Sequence, residues 1–413
     1  MTTPEHRVVA RRIVEALRSG VPSRDAVAAL GSGQSAAEDR VMTVLQAADR
    51  AGSDRGVLLG GGFGSGKSHL LEHVAALAGR EGWVVSRVAI SKETPLHDPV
   101  KVLRAALAGA VRPGEAASEA LVQTAVELDT DSPAFTELLR WSSAALDERF
   151  ATSVSLFAKT RDHAPDIADA LVRFWGGAPV KVTELRRWAK EQNEPRPELG
   201  PIPIRELARQ RMRFLARFFE AAGHAGWLIL FDEVELIGRY GTMSRAKSYA
   251  EVAGWVRPEP EASDAPLRSV LAMTDDFAAA VLSPAGKGDR EKLPDLLRGK
   301  ATPEADMLRG RAEIGMRLIE REMLRLEPPR EEDLAAAYQQ LRRLHGEAFD
   351  WNPPDVPGLE RLGTTRMRQY VRAWINEWDL VRLDPEYGPT TVVRDVASNY
   401  IEDPDLRDEE PTG

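Results

Sequence analysis

Apolar residues switch between helical and strand-like spacing along this chain, and each switch marks a structural boundary. Between residues 5 and 50, Val8, Val9, Ile13 and Leu17, then Val41, Val44 and Leu45, recur at roughly helical intervals, which predicts two or three short helices. Two compact apolar runs follow, Val57-Leu58-Leu59 and Trp83-Val84-Val85-Ser86-Arg87-Val88-Ala89-Ile90, on either side of a helix-forming stretch at 68–80. Strand, helix and strand in that order call for a parallel sheet, whose strands are covered on both faces and so read as apolar runs. From about 99 to 222 the pattern is helical, broken by turn signals at Arg112-Pro113-Gly114, Asn193-Glu194-Pro195-Arg196-Pro197 and Gly200-Pro201. This stretch reads as an insertion or a greatly extended crossover. The sheet resumes at Trp227-Leu228-Ile229-Leu230-Phe231-Asp232-Glu233 and again at Ser269-Val270-Leu271-Ala272-Met273. Beyond about residue 285 the chain is helical, with a proline-rich interruption at Trp351-Asn352-Pro353-Pro354-Asp355 and an acidic tail from Glu402.

The segment after the first strand gives this pattern a chemical purpose. Gly61-Gly62-Phe63-Gly64-Ser65-Gly66-Lys67-Ser68 is a complete phosphate-binding loop, and His69 follows it into the helix. Glycines let successive backbone N–H groups turn inward around an anion, while the new helix aims its positive end at the same point. In that pattern Lys67 reaches the terminal phosphates and Ser68 holds Mg²⁺. The run at 227–231 ends in Asp232 and Glu233, as expected where a central parallel strand meets the ligand-binding edge of its sheet. Asp232 is expected to hold Mg²⁺ through water, and Glu233 to polarise the attacking water. Thr274-Asp275-Asp276 closes the next strand and is placed to feel the γ-phosphate from beside it. A glutamate directly after the Mg²⁺ aspartate favours hydrolysis over transfer to an acceptor.

Composition narrows the class. A chain of 413 residues is long enough for two or three domains. With 43 % hydrophobic and 29 % charged residues, no apolar run approaches the roughly 20 residues that span a bilayer. There are no cysteines and no signal-peptide core, so the cytoplasm is the expected compartment. A net charge of −9 offers no global attraction to nucleic acid, which leaves only local patches for such contacts.

Three further patterns have competing readings. His69-Leu70-Leu71-Glu72-His73 matches the H-x-x-E-H zinc-protease pattern, but the helix that carries it is already committed to the phosphates, so both histidines read as packing or partner-facing. Arg317, Arg321 and Arg325 stand at i, i+4 and i+8, after Arg309 and Arg311, and suggest a nucleic-acid stripe on a helix. Glu313, Glu320 and Glu322 dilute that charge, and a solvated helix face is the favoured reading. Arg239 and Arg245 follow the acidic pair and either reach a neighbouring subunit's nucleotide or support the fold.

Several blocks together resemble one family, the ATP-binding proteins of BREX-type bacteriophage-defence systems, an AAA+-like branch of the P-loop ATPases. These blocks are residues 15–27, the loop from 61 to 71, Ser91-Lys92-Glu93-Thr94-Pro95-Leu96-His97-Asp98-Pro99, and residues 226–240 running on to 245–251. Position by position, Lys67, Ser68, Asp232 and Glu233 match the family's ATPase motifs. Thr274 resembles a first sensor, and Arg366 in Gly363-Thr364-Thr365-Arg366 is similar to the second sensor of a lid domain. The two ATPase motifs lie much further apart than in a minimal AAA+ module, and no arginine finger is assigned. The resemblance implies a defence component working beside large partners such as a helicase or a methyltransferase.

The sequence therefore predicts an α/β fold, an AAA+-like P-loop parallel sheet. A helical arm at 1–50 precedes an ATPase core at 51–285, which carries the helical insertion at about 99–222, and a helical lid and acidic tail at 286–413 follow. Its expected function is ATP hydrolysis that switches a phage-defence complex. ATP is cradled by Gly61, Gly62, Phe63, Gly64, Ser65, Gly66, Lys67, Ser68 and His69, Mg²⁺ is held by Ser68 and Asp232, and Lys67, Glu233, Thr274 and Arg366 act on the phosphates. DNA contact is expected through partners, and a homo-oligomer stays open. The alternatives are an ATP-gated scaffold with negligible turnover and an ATPase that binds DNA directly. A small-molecule kinase is disfavoured by Glu233.

Overall fold

A computed structural model describes residues 4–20, 23–47, 54–115, 119–260, 264–356, 367–384, 386–388 and 400. Three helices come first, α1 (Pro4–Ser19), α2 (Arg24–Leu30) and α3 (Ser35–Gln46), then β1 (Gly56–Gly60), α4 (Lys67–Arg80) and β2 (Trp83–Ala89). The helical stretch that follows holds α5 (Pro99–Ala108), α6 (Ala120–Glu127), α7 (Pro133–Ala145), α8 (Glu148–Thr160), α9 (Pro165–Trp175), α10 (Val182–Glu191) and α11 (Ile204–Ala221). The sheet resumes with β3 (Gly226–Asp232), followed by α12 (Thr242–Val256) and β4 (Leu267–Met273). The remaining elements are α13 (Asp289–Arg298), α14 (Pro303–Arg321), β5 (Leu324–Arg325), α15 (Glu331–Phe349) and α16 (Met367–Leu383).

The five strands form one parallel sheet in the order β2-β3-β4-β1-β5, so the α/β class read from the apolar runs holds. Side chains alternate between its faces, as the pleat requires. Leu58, Trp227, Ile229, Phe231 and Leu271 enter one core with α5–α12 and α14. Val57, Leu59, Leu228, Leu230 and Val270 enter another under α3 and α4. The last strand, β5, is missing from the sequence reading because it is only two residues long. Its register against Leu59 and Gly60, sealed by Leu326 N–H donating to Gly60 O at 2.7 Å, makes it an edge beside the phosphate loop.

The insertion shares the core of the sheet. Trp175 packs its ring 5.1–5.3 Å from those of Phe157, Phe214 and Phe218, and Phe219 meets Trp227 of β3 edge-on at 5.8 Å. Aromatic pairs of this kind stabilise by about 1 kcal/mol each beyond the area they bury. The insertion is therefore anchored to the strand that delivers Asp232.

The two ends of the described chain meet. Ala10, Val14 and Leu17 of α1 and Ala26 of α2 share a separate core with Leu341 and Leu344 of α15 and Trp374 and Trp378 of α16. Polar contacts fasten it: Arg11 Nε donates to Ala348 O at 2.8 Å, and Trp351 Nε1 donates to His345 Nδ1 at 2.9 Å. That bond makes Nδ1 the acceptor, so His345 Nε2 carries the proton and faces Asp379 Oδ1 at 3.2 Å.

Candidate nucleotide-binding site

The carboxyl ends of the parallel strands place the chemistry. β1 ends at Gly60 and opens into the loop, and Gly61 N–H donates to Met273 O of β4 at 3.1 Å. Two glycines are conformationally required there. Gly64 and Gly66 have φ of +81° and +99°, which side chains with a Cβ rarely adopt. At Gly61 a Cβ would stand 2.4 Å from Ser65 Oγ, so a larger residue there would require the Ser65 side chain to move. Leu70 N–H then donates to Gly66 O at 2.8 Å and starts α4, whose N-terminus faces the loop. Lys67 is buried, and its Nζ donates to Gly61 O at 2.7 Å and Gly62 O at 3.2 Å.

Across the gap, β3 ends in Asp232, whose Oδ1 accepts from Glu233 N–H at 2.9 Å. Glu233 has φ of +58°, a strained setting for a residue with a side chain, and its carboxyl is exposed at the mouth of the site. The surrounding protein still strips part of its hydration, which together with the Asp232 charge pushes its pKa up, opposed by Lys67. Glu235 is more deeply set. Its pKa is raised by burial, opposed mainly by the Lys67 charge, and among the described residues its buried Oε2 has no hydrogen-bond donor.

A cavity of about 590 Å³ unites these groups. The loop from Phe63 to His69, Asp232, Glu233 and Glu235 line it together with residues of α1 and α2, the turn at 31–34, α15 and α16. This volume suits a ligand of nucleotide size. Lys67, Ser68, Asp232 and Glu233 thus line one cavity, with the carbonyls of Gly61 and Gly62 accepting from the amine of Lys67. Thr274 is placed differently. It is buried, and its Oγ1 is bonded to the hydroxyl of Tyr400, which also donates to Asp276 Oδ1 at 2.7 Å. Arg366 lies outside the described residues. Two positions on, Arg368 lines the cavity and donates to Gly20 O at the end of α1.

The sequence reading passed over Glu235, Arg368 and the whole far wall. Glu235 had a signal, standing two residues past the acidic pair. The wall had none, because residues more than three hundred positions apart build it. The histidines of the H-x-x-E-H pattern part company: His69 Nε2 sits 2.7 Å from Gly31 O, and His73 Nε2 lies 3.3 Å from Glu38 Oε1. Both fasten α4 to the N-terminal helices, burial lowers the pKa of His69, and no metal-binding cluster occurs among the described residues. Arg245 is buried in an ion pair with Asp289, which assigns it to the fold. Arg325 is not on the helix with Arg317 and Arg321, because α14 stops at Arg321 and Arg325 belongs to β5.

A family model described as BREX system ATP-binding protein BrxC/D matches residues 6–279. No curated protein and no solved structure matches the chain. The matched span takes in the phosphate loop, the insertion, the acidic pair and β4, and on that match the chain belongs to the BREX system ATP-binding protein BrxC/D family.

Proposed function

We propose that this member of an ATP-binding family hydrolyses ATP and passes the nucleotide state to partner proteins of a phage-defence system. The observation that supports it is the meeting of Lys67, Ser68, Asp232 and Glu233 in one cavity of nucleotide size. The loop fits phosphate: positive φ at Gly64 and Gly66 favours glycine there, and the first N–H groups of a helix such as α4 have no intrahelical partners. Ser68 and Asp232 fit Mg²⁺, which takes one or two protein oxygens and completes its shell with phosphate and water. Bound there, the ion would neutralise charge on the phosphates.

In this reading Lys67 exchanges the carbonyls of Gly61 and Gly62 for phosphate oxygens, so the loop cation is held in place before a nucleotide arrives. Glu233 accepts the proton of the attacking water. Its raised pKa strengthens it as a base, and its exposed position at the mouth admits water. Thr274, two bonds from Asp276 through Tyr400, acts from beneath the site rather than by facing the cavity. Arg366 stays assigned as the lid arginine on the resemblance alone.

Steady-state phosphate release by the purified chain, with and without duplex DNA, tests the reading. Turnover abolished by Glu233→Gln supports it. Tight ATP binding with no turnover in any condition would make the chain an ATP-gated scaffold instead.

A further inference from the structure

The part of the cavity lined by α1, α2, α15 and α16 has the composition of a base-binding slot. Leu17 of α1, Leu30 of α2, Ala337 of α15, and Met367 and Val371 of α16 give it apolar walls. Such walls take a flat aromatic ring but cannot tell one purine from another, so discrimination must come from a polar group with spare hydrogen-bonding capacity.

The polar side chains around this slot are nearly all committed. Gln34 spends both ends of its amide on Glu327, donating to its carbonyl at 2.9 Å and accepting from its N–H at 3.0 Å. Ser32 bonds Glu38 and accepts from Gln34 N–H. His69 holds Gly31 O, and Arg368 holds Gly20 O. Asp333 is paired with Arg330 at the start of α15. Gln340 differs: it is half-buried, it lines the cavity one helical face along from Asp333 and Ala337, and among the described residues its carboxamide has no partner.

We propose that Gln340 reads the edge of adenine and sets a preference for adenine over guanine nucleotides. The proposal rests on the reading of this cavity as the nucleotide site. A carboxamide offers one acceptor and one donor side by side, which complements the N6 amino group and N7 of adenine. On that edge guanine presents two acceptors, O6 and N7, so whichever way the carboxamide turns its oxygen faces one of them. A mismatched base would leave a polar group inside the occupied cavity without its partner, and that cost is the source of the discrimination.

The test is equilibrium binding of ADP, GDP and inorganic pyrophosphate to the full-length chain by calorimetry, which needs no turnover. The parent is expected to favour ADP over GDP. In Gln340→Leu, and in Gln340→Met as a guard against altered packing, that preference should fall between about five-fold and about 150-fold. Pyrophosphate, which carries no base, should bind parent and variants alike. An ADP-to-GDP ratio unchanged in both variants, or equal losses for all three ligands, overturns the proposal. Lys67→Ala serves as the separate control and should weaken all three ligands together. If it weakened none, the nucleotide-site reading itself would fall, an outcome distinct from a failure of Gln340.

Discussion

Arg245 holds Asp289 through two parallel bonds, Nε to Oδ2 at 2.7 Å and Nη2 to Oδ1 at 2.8 Å, with both side chains buried. The third arm of the guanidinium donates to Tyr240 O at 2.7 Å, and Tyr249 donates its hydroxyl to Asp289 Oδ2 at 2.8 Å. The cluster joins the turn after the acidic pair to α12 and α13. A fully satisfied buried network of this kind specifies geometry more than it adds net stability.

Removing one partner is another matter, because it leaves the opposite charge buried and uncompensated. Arg245→Ala is predicted to cost about 3–5 kcal/mol in unfolding free energy. Chemical denaturation of the full chain measures this. A loss below about 1 kcal/mol would mean that Arg245 is not structural and would reopen a role across a subunit boundary.

Lys67→Ala and Glu233→Gln should separate binding from chemistry. The first deletes the cation that meets the terminal phosphates and should weaken ATP by at least about ten-fold, as loss of a charge-assisted bond implies. The second keeps the shape of the site but removes the base, so binding should persist while turnover falls by about 100-fold or more. Glu233→Gln hydrolysing ATP at the parental rate would assign water activation elsewhere, with Glu235 the next carboxylate in the cavity.

How much of this site could be read in advance depends on where its residues come from. The loop at 61–68 was legible because its glycines stand in one unbroken stretch between an apolar run and a helix-forming segment, which became β1 and α4. The strand ending in Asp232 was legible for a similar reason, since a strand buried on both faces must be apolar until it reaches its polar edge. The far wall was not legible, because α1 meets α15 through contacts such as Arg11 Nε to Ala348 O at 2.8 Å, which no local pattern encodes. Nor was the ending of α14 at Arg321, where the chain turns to form a two-residue edge strand. Gln340 belongs to the same class: on the sequence it is one polar residue of a helix, and only the cavity gives it a role.

Glu235 gives a prediction about pH and stability. Burial raises its folded-state pKa above the ordinary value near 4.5. Well below that value the carboxyl is protonated in both states and carries no penalty. Above the raised pKa the unfolded chain ionises freely while the folded chain bears an unfavourable charge, so the penalty is fully present at neutral pH. Glu235→Gln should therefore stabilise the nucleotide-free protein by about 1 kcal/mol at pH 7.5, with the gain vanishing below about pH 4. Denaturation of both proteins across that range checks the sign. A gain that is constant with pH, or a loss at pH 7.5, would show that the Glu235 charge is not the cause.

The last prediction concerns DNA. Arg317 and Arg321 on α14 and Arg325 on β5 are exposed, and among the described residues none forms an ion pair. Their neighbours are less available: Arg309 pairs with Asp306 at 3.3 Å and with Glu313 at 3.5 Å, and Arg311 is held by Glu259. Three free guanidinium groups on a chain of net charge −9 offer few phosphate contacts, and such contacts supply most non-specific affinity. The isolated chain is therefore expected to bind duplex DNA weakly at near-physiological salt, with a dissociation constant no tighter than the roughly micromolar range of non-specific binding. Replacing the three arginines should change it little beyond that weak term. Titration of labelled duplex at two salt concentrations settles the matter. Nanomolar binding that collapses when Arg317, Arg321 and Arg325 are replaced, with a salt slope near three, would overturn the expectation of contact through partners and make this edge of the sheet a direct DNA interface.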